Sequence, residues 1–149
     1  MASVTIRVDG LRELGERMRK LSEKVAKKLA GQATGAAAQV VKKSYKLNLR
    51  SNPSIDTGLV EKNVIAKKLG KSQTNLTSEH IVTVKKVVYP QVGASTKKRN
   101  TRQVAGYLEF GTVNMPAEPG LRPAFDENRS KLTEVMKKKL ADGILKAGA

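Results

Sequence analysis

Few residues in the sequence have the type and spacing that catalysis requires. His80 is the single histidine, and it lies in an alternating pattern typical of a strand, with no cysteine or carboxylate pair beside it. General acid–base or nucleophilic catalysis needs a positioned partner for such a group. Glu109 is the one carboxylate inside a distinctive apolar segment, and one carboxylate does not form a catalytic dyad. We therefore predict that the protein is not an enzyme, and we assign no catalytic residue.

Patterns for nucleotide and metal binding are also missing. Gly70-Lys71-Ser72 resembles the end of a phosphate-binding loop, but Ile65 occupies the position where that loop requires its first glycine. The sequence contains no cysteine, which excludes disulfides, thiolate chemistry and cysteine-based metal sites. Histidine and acidic residues show no metal-ligand spacing. We predict neither a cofactor nor a metal ion.

The composition is strongly basic and poor in aromatic residues. Across 149 residues, 29 Lys and Arg outnumber 13 Asp and Glu, which gives a formal net charge of +16. Such a charge favours polyanionic surroundings, either nucleic acid or acidic faces of partner proteins, although it also suits a simply solvated surface. The chain has three tyrosines, two phenylalanines and no tryptophan. So few aromatic residues predict a thin core, in a domain that is either elongated or completes its burial against neighbours.

The sequence predicts no membrane segment. No stretch approaches the roughly 20 apolar residues of a membrane span, and Met1–Gly10 lacks the apolar core of a signal peptide. We expect the protein to be made and kept in the cytoplasm until it is assembled into a larger structure.

Hydrophobic periodicity predicts a single mixed domain over residues 1–149. We expect a strand at 4–8, a helical region at 10–49 with a break near Ser22, and a sheet region at 60–94. Within the sheet region the predicted strands are Val60–Leu69 and His80–Val88. The helical region is rich in Ala and Gly, which indicates tight packing against either a sheet or another subunit.

The second half of the chain predicts a loop followed by a helix. Residues 95–106 form a predicted basic loop, in which Ser95–Arg102 contains four basic residues and no acidic or apolar one. Val104–Phe110 is apolar enough for a helix of one or two turns. A C-terminal helix is predicted at 123–146, opened by Pro123, with an apolar face of Phe125, Leu132, Met136, Leu140 and Ile144.

Four motifs, taken in order, resemble a known family. They are Asp9-Gly10-Leu11-x-x-Leu14 after the first strand, Asp56-Thr57-Gly58-Leu59, Tyr107-Leu108-Glu109-Phe110-Gly111-Thr112, and Pro116-Ala117-x-Pro119-x-Leu121-Arg122-Pro123-Ala124. This order is similar to the small tail-component family of tailed bacteriophages, also called tail-completion, neck or head–tail joining proteins. The resemblance spans about Val4 to Ile144. Gly120 departs from it, because that position is often Phe in the family.

The resemblance implies both a fold and a place of action. The expected fold is α+β, with a long Ala-rich helix and a C-terminal amphipathic helix packed on a small, mostly antiparallel sheet, plus the extended basic loop. The expected role is that of a virion structural protein in the phage neck. It implies a homo-oligomeric ring, taken as a hexamer, that completes the tail. The implied partners are head connector or adaptor proteins, tail tube or tail terminator proteins, and genomic DNA in the channel through non-specific contact.

Two sets of residues are the candidates for this role. The first is expected at a subunit interface or the DNA channel and contains Lys97, Lys98, Arg99, Arg102, Glu109 and Arg122. Glu109 and Arg122 are expected either to pair, across the segment between them or across a subunit boundary, or to act as a local cap or a surface charge. The second set is expected to belong to structural motifs, with backbone conformations set by its glycines and prolines. It contains Gly58, Phe110, Gly111, Pro119 and Pro123.

The alternative hypothesis is a basic, non-specific nucleic-acid-binding protein. The charge favours it, but aromatic side chains do not interleave with the basic groups as stacking platforms would. A small basic toxin or regulatory subunit is a further class, and the chain lacks the acid/base or nucleophile set that such toxins need.

Overall fold

The computed structural model describes residues 11–19, 22–52, 57–70, 78–90 and 98–147. Within these ranges the chain has the order α1 (Leu11–Arg19), α2 (Glu23–Ser51), α3 (Leu59–Lys62), β1 (Val64–Lys68), β2 (His80–Val84), α4 (Thr101–Phe110), α5 (Leu121–Asp126) and α6 (Arg129–Lys146). The fold is α+β, as predicted. The strand predicted at 4–8 lies outside the described residues.

Helix α2 is the element on which the rest of the fold packs. It has 29 residues and begins after Ser22, at the predicted break. Its buried side chains recur at helical spacing, so one side of the helix lies in the core: Ala26, Leu29, Ala33, Ala37, Ala38, Val41, Tyr45 and Leu49. Across that side lie the sheet, α5 and α6.

The glycines of α2 allow the sheet to approach its backbone. A Cβ atom added at Gly35 would lie 3.2 Å from Nε2 of His80 on β2. One added at Gly31 would lie 3.3 Å from Nζ of Lys68 on β1. The small residues therefore serve packing against the sheet, which is one of the two explanations the sequence left open.

In the part of the chain that the structure describes, the sheet has two antiparallel strands, with Val64 opposite Val84 and Lys68 opposite His80. Val64 and Val84 are 1% and 4% exposed and belong to the core that includes Val41 and Tyr45 of α2. Ile81, on the other face of the sheet, is 41% exposed. One face of the sheet is thus covered by α2, and the opposite face is open in the described part of the chain.

The prediction of a strand over Val60–Leu69 is wrong at its start. Leu59–Lys62 forms the one-turn helix α3, and β1 begins only at Val64. Gly58 has φ 60° and ψ 10°, a left-handed conformation that starts the turn, and the Lys62 N–H donates to the Gly58 carbonyl at 3.0 Å. Local hydrogen bonds therefore outweigh the strand propensity of Val60, whose side chain is buried within this turn.

The predicted strand His80–Val88 is too long. Strand β2 ends at Val84, because the following backbone changes partner from β1 to the start of α4. The Thr101 N–H donates to the Val87 carbonyl at 2.9 Å, and Val88 pairs with Asn100 as an isolated bridge.

The predicted C-terminal helix at 123–146 is in fact two helices. Helix α5 starts at Leu121, two residues before Pro123, and the chain breaks at Glu127–Asn128 before α6. Asn128 Nδ2 donates to the Ala124 carbonyl at 2.9 Å and to Ser44 Oγ of α2 at 3.1 Å. A side chain that binds nearby backbone in this way competes with helix continuation.

Helix α6 packs on the N-terminal half of α2. Leu140 and Ile144 form a buried cluster with Leu29 and Ala33. A Cβ atom added at Gly143 would lie 2.2 Å from Cδ2 of Leu29, so glycine allows the two helices to come close. In the described ranges no helix is long and apolar enough to span a bilayer.

Candidate functional site

Helix α4 carries three of the residues that the sequence singled out, Arg102, Glu109 and Phe110. It begins with a capping box, in which Asn100 Oδ1 accepts the Gln103 N–H at 3.0 Å and Gln103 Oε1 accepts the Asn100 N–H at 3.2 Å. The predicted basic loop at 95–106 is therefore wrong from Thr101 onward, because the reciprocal cap starts a helix there.

Thr101 anchors this helix to the strand segment that precedes the basic loop. It is completely buried. Its hydroxyl donates to the Lys85 carbonyl at 2.5 Å and accepts the Val87 N–H at 3.0 Å. A buried hydroxyl with both functions satisfied fixes the two chain segments relative to each other.

The basic candidates flank the start of α4. Lys98, Arg99 and Arg102 are exposed, and Arg102 Nε donates to the Val84 carbonyl at the end of β2 at 3.3 Å. Lys97 lies outside the described residues. The structure therefore places three of the four basic candidates together, where they meet solvent.

Glu109, on the last turn of α4, caps the next helix along the chain. One carboxylate oxygen accepts the N–H groups of Gly120 and Leu121 at 2.9 and 3.0 Å, and the other accepts the Arg122 N–H at 3.0 Å. These are the unpaired donors at the N-terminus of α5, where the helix dipole also favours negative charge. Among the expected arrangements, the structure shows Glu109 as a local cap. The ion pairs of the described residues are Arg50–Glu61 and Arg129–Asp126.

Tyr45 of α2 lies beneath this cap. Gly120 packs directly on its ring, since a Cβ atom added at Gly120 would lie 3.1 Å from Tyr45 Cε2. Asn48 Nδ2 donates to the Gly120 carbonyl at 2.8 Å. Burial, together with the negative charge of Glu109, raises the pKa of the Tyr45 phenol to about 12. Gly120, which departs from the pattern of the family it resembles, thus lets the start of α5 approach α2.

Gly111 ends α4 in a backbone conformation that suits glycine. Its φ is 73°, and a Cβ atom there would lie 2.8 Å from the Ala117 nitrogen. The chain then turns, with Thr112 and Met115 paired as a bridge. Of the two prolines in the second candidate set, Pro119 is exposed and Pro123 lies in the first turn of α5.

Three exposed apolar side chains lie at the end of α4 and in the turn after it, and we call them the apolar patch. It consists of Tyr107, Phe110 and Val113, which are 41%, 77% and 103% exposed. Tyr107 and Phe110 are three residues apart and share one side of the helix, while Val104 and Leu108 face the core. Phe110 was predicted only as a residue of a structural motif, and the patch was missed. The available signal was that a short helix carried apolar residues on two sides.

The side chain of His80 makes its polar contact within the fold, with helix α2. His80 Nδ1 lies 3.0 Å from Thr34 Oγ1 of α2. Burial and the charge of Lys68 lower its pKa. Over the described ranges, His and acidic residues form no group of three that would hold a metal ion.

Comparison with known proteins identifies the family. A family model described as bacteriophage HK97-gp10 tail-component matches residues 12–111, which is more than half of the chain. This chain belongs to that family. No curated protein and no solved structure matches it.

The family match indicates that the protein is a component of the phage tail. The match runs from α1 to Gly111 and so includes α2, the sheet and the α4 motif Tyr107–Gly111. Residues 112–120 and helices α5 and α6 lie beyond the matched residues. The protein is therefore a phage tail-component structural protein.

Proposed function

We propose that the protein is a ring-forming subunit of the phage neck, which completes the tail and joins it to the head connector around the DNA channel. The observation that carries the proposal is the membership of the tail-component family. Its partners would be head connector or adaptor proteins and tail tube or terminator proteins, and it would act without catalysis or a cofactor.

The apolar patch supports self-assembly. Phe110 exposes 77% of its surface in a chain with only two phenylalanines, although aromatic side chains contribute most when they are buried. Exposed aromatic residues on a rigid helix end are typical anchors of protein interfaces. The occupant we propose is a second copy of the chain, because a closed ring requires each subunit to bury one surface against the next.

The rigidity of the segment also supports an interface role. The capping box, the buried Thr101 and the Glu109 cap hold α4 at both ends. An interface anchor held in place before binding loses less conformational entropy on association. The exposed Lys98, Arg99 and Arg102 lie at the other end of α4 from the patch, and they would meet an acidic neighbour or the DNA backbone.

The test is complementation of a phage or prophage lacking this gene. Electron microscopy of the lysate should show filled heads and tails that are not joined, and wild-type protein should restore joined particles. Phe110→Ser should fail to restore them. The matched control is Leu145→Ser, which removes another exposed apolar side chain, 72% exposed, from α6. Joined particles in the absence of the gene would overturn the proposal.

A further inference from the structure

Helix α2 has a strong excess of basic residues. After Glu23 it contains no acidic residue through Ser51. Its solvent-facing side forms what we call the basic ridge, which consists of Lys24, Lys28, Gln32, Gln39, Lys43, Lys46 and Arg50. All of these residues are exposed except Lys46, which is half-buried.

The ridge runs along one side of the helix, with Gln32 and Gln39 between its two groups of basic residues. At 3.6 residues per turn its members fall within an arc of about 100° on the helix surface. At 1.5 Å per residue, Lys24 and Lys46 are separated by about 33 Å along the axis, which is close to one turn of duplex DNA, about 34 Å. The opposite side of α2 is buried in the core, so the ridge is held rigidly.

The lysines of the ridge are not explained by folding. Among the described residues, ion pairs within the fold involve Arg50 with Glu61 and Arg129 with Asp126, and none involves a ridge lysine. Lys24 lies in the first turn of α2, where the helix dipole disfavours a cation. The four lysines on this face also repel one another. The ridge therefore lowers the stability of the isolated subunit, which indicates a ligand that neutralises it.

We propose that the basic ridge of α2 binds the phosphate backbone of duplex DNA without sequence preference. A row of ammonium groups separated by amide side chains provides phosphate contacts and hydrogen-bond donors along a rigid line. An acidic protein partner is the other class of polyanion. It fits less well, because protein interfaces need a buried apolar or aromatic centre, and Leu47 alone is an exposed large apolar residue on α2.

The inference deepens the proposed function, since a neck ring would enclose DNA and give the ridge its ligand. It assigns a DNA-binding surface to α2, in addition to the basic residues beside α4. Because DNA binding is measured on the isolated chain, a failure of ring assembly can be distinguished from a failure of the ridge to bind DNA.

The test compares two quadruple variants with equal loss of charge. The ridge variant is Lys24→Gln, Lys28→Gln, Lys43→Gln and Lys46→Gln. The control removes four exposed lysines of α6, as Lys131→Gln, Lys138→Gln, Lys139→Gln and Lys146→Gln. Fluorescence anisotropy with a labelled duplex of mixed sequence is recorded over a range of NaCl concentrations, after circular dichroism has shown that both variants retain the helix content of the wild type.

The ridge variant should bind about tenfold or more weakly at 0.1 M salt, and its log–log salt slope should flatten by about 3.6, since each lost phosphate contact removes about 0.9. The affinity and the salt slope of the control variant should each change by less than half as much. Equal losses in the two variants, or no binding by the wild-type chain, would overturn the proposal. Tighter binding of poly-glutamate than of DNA to the ridge would also overturn it and favour an acidic protein partner.

Discussion

The carboxylate of Glu109 binds the backbone N–H of Arg122 at 3.0 Å, and it binds those of Gly120 and Leu121 as well. Two motifs that are separate in the sequence are thereby joined, one at the end of α4 and one at the start of α5. The Glu118 N–H also donates to the Leu108 carbonyl at 2.7 Å. The turn that exposes Phe110 and Val113 is therefore held at both ends.

Glu109→Gln should lower the free energy of unfolding by about 1–2 kcal/mol, the usual range for loss of a helix N-cap. The amide keeps one acceptor oxygen but loses the charge and the second acceptor. Urea denaturation followed by circular dichroism measures the effect. Glu134→Gln, at an exposed position of α6, is the control and should change stability by less than about 0.5 kcal/mol. Equal effects would show that the cap is not stabilising.

Gly143→Ala should destabilise the protein by about 1–3 kcal/mol, because the new Cβ meets Leu29 in a buried cluster. The nearest approach would be 2.2 Å. Gly106→Ala is the matched control, since nothing lies within 4 Å of a Cβ atom there. In helix α4 that change should be stabilising by about 0.5–1 kcal/mol. The two variants should shift the thermal midpoint in opposite directions, and a gain at Gly143 would contradict the close packing of α2 and α6.

Tyr45 should make the fold sensitive to alkaline pH. Its pKa is raised to about 12 in the folded protein, against about 10 when unfolded. The stabilisation is therefore complete below pH 10 and is lost as the pH rises towards 12. The loss amounts to about 2–3 kcal/mol on complete titration. Denaturation midpoints from pH 8 to 11.5 should fall less steeply for Tyr45→Phe. Parallel curves for the two proteins would show that the phenol does not titrate as described.

His80 should make the fold sensitive to mild acid. Its pKa is lowered by burial and by Lys68, so the unfolded chain takes up a proton at a higher pH than the folded one. Stability should therefore fall as the pH drops below about 6.5. Two-dimensional NMR of the His80 ring gives its pKa directly. A value above that of a histidine model peptide would contradict the environment described here.

The two long helices were predictable from sequence because their side chains follow a strong period. The steps of α2 and α6 place Leu29, Val41, Leu132 and Leu140 on core-facing sides, and Ser22 marks the start of α2. The two-stranded sheet was predictable in kind for the same reason, since Val64, Val82 and Val84 follow the alternation of a half-buried strand.

The remaining elements depend on hydrogen bonds that no periodicity reports. Asn128 ends α5 by binding Ser44, which is 84 residues away in sequence, and Thr101 diverts the chain after β2 through the carbonyl of Lys85. The patch around Phe110 was missed for a related reason. A sequence shows that a phenylalanine is apolar, but only the fold shows that its side of α4 has no cover among the described residues.

We propose that this chain assembles into a ring through the patch of Tyr107, Phe110 and Val113. Mass photometry of the purified protein, alone and mixed with its head connector and tail proteins, tests it at low and high salt. We predict a ring-sized species that persists in high salt and is lost in Phe110→Ser but not in Leu145→Ser. A wild-type chain that stays monomeric with every partner, and binds only DNA in a salt-sensitive manner, would contradict the claim and favour a dedicated nucleic-acid-binding protein.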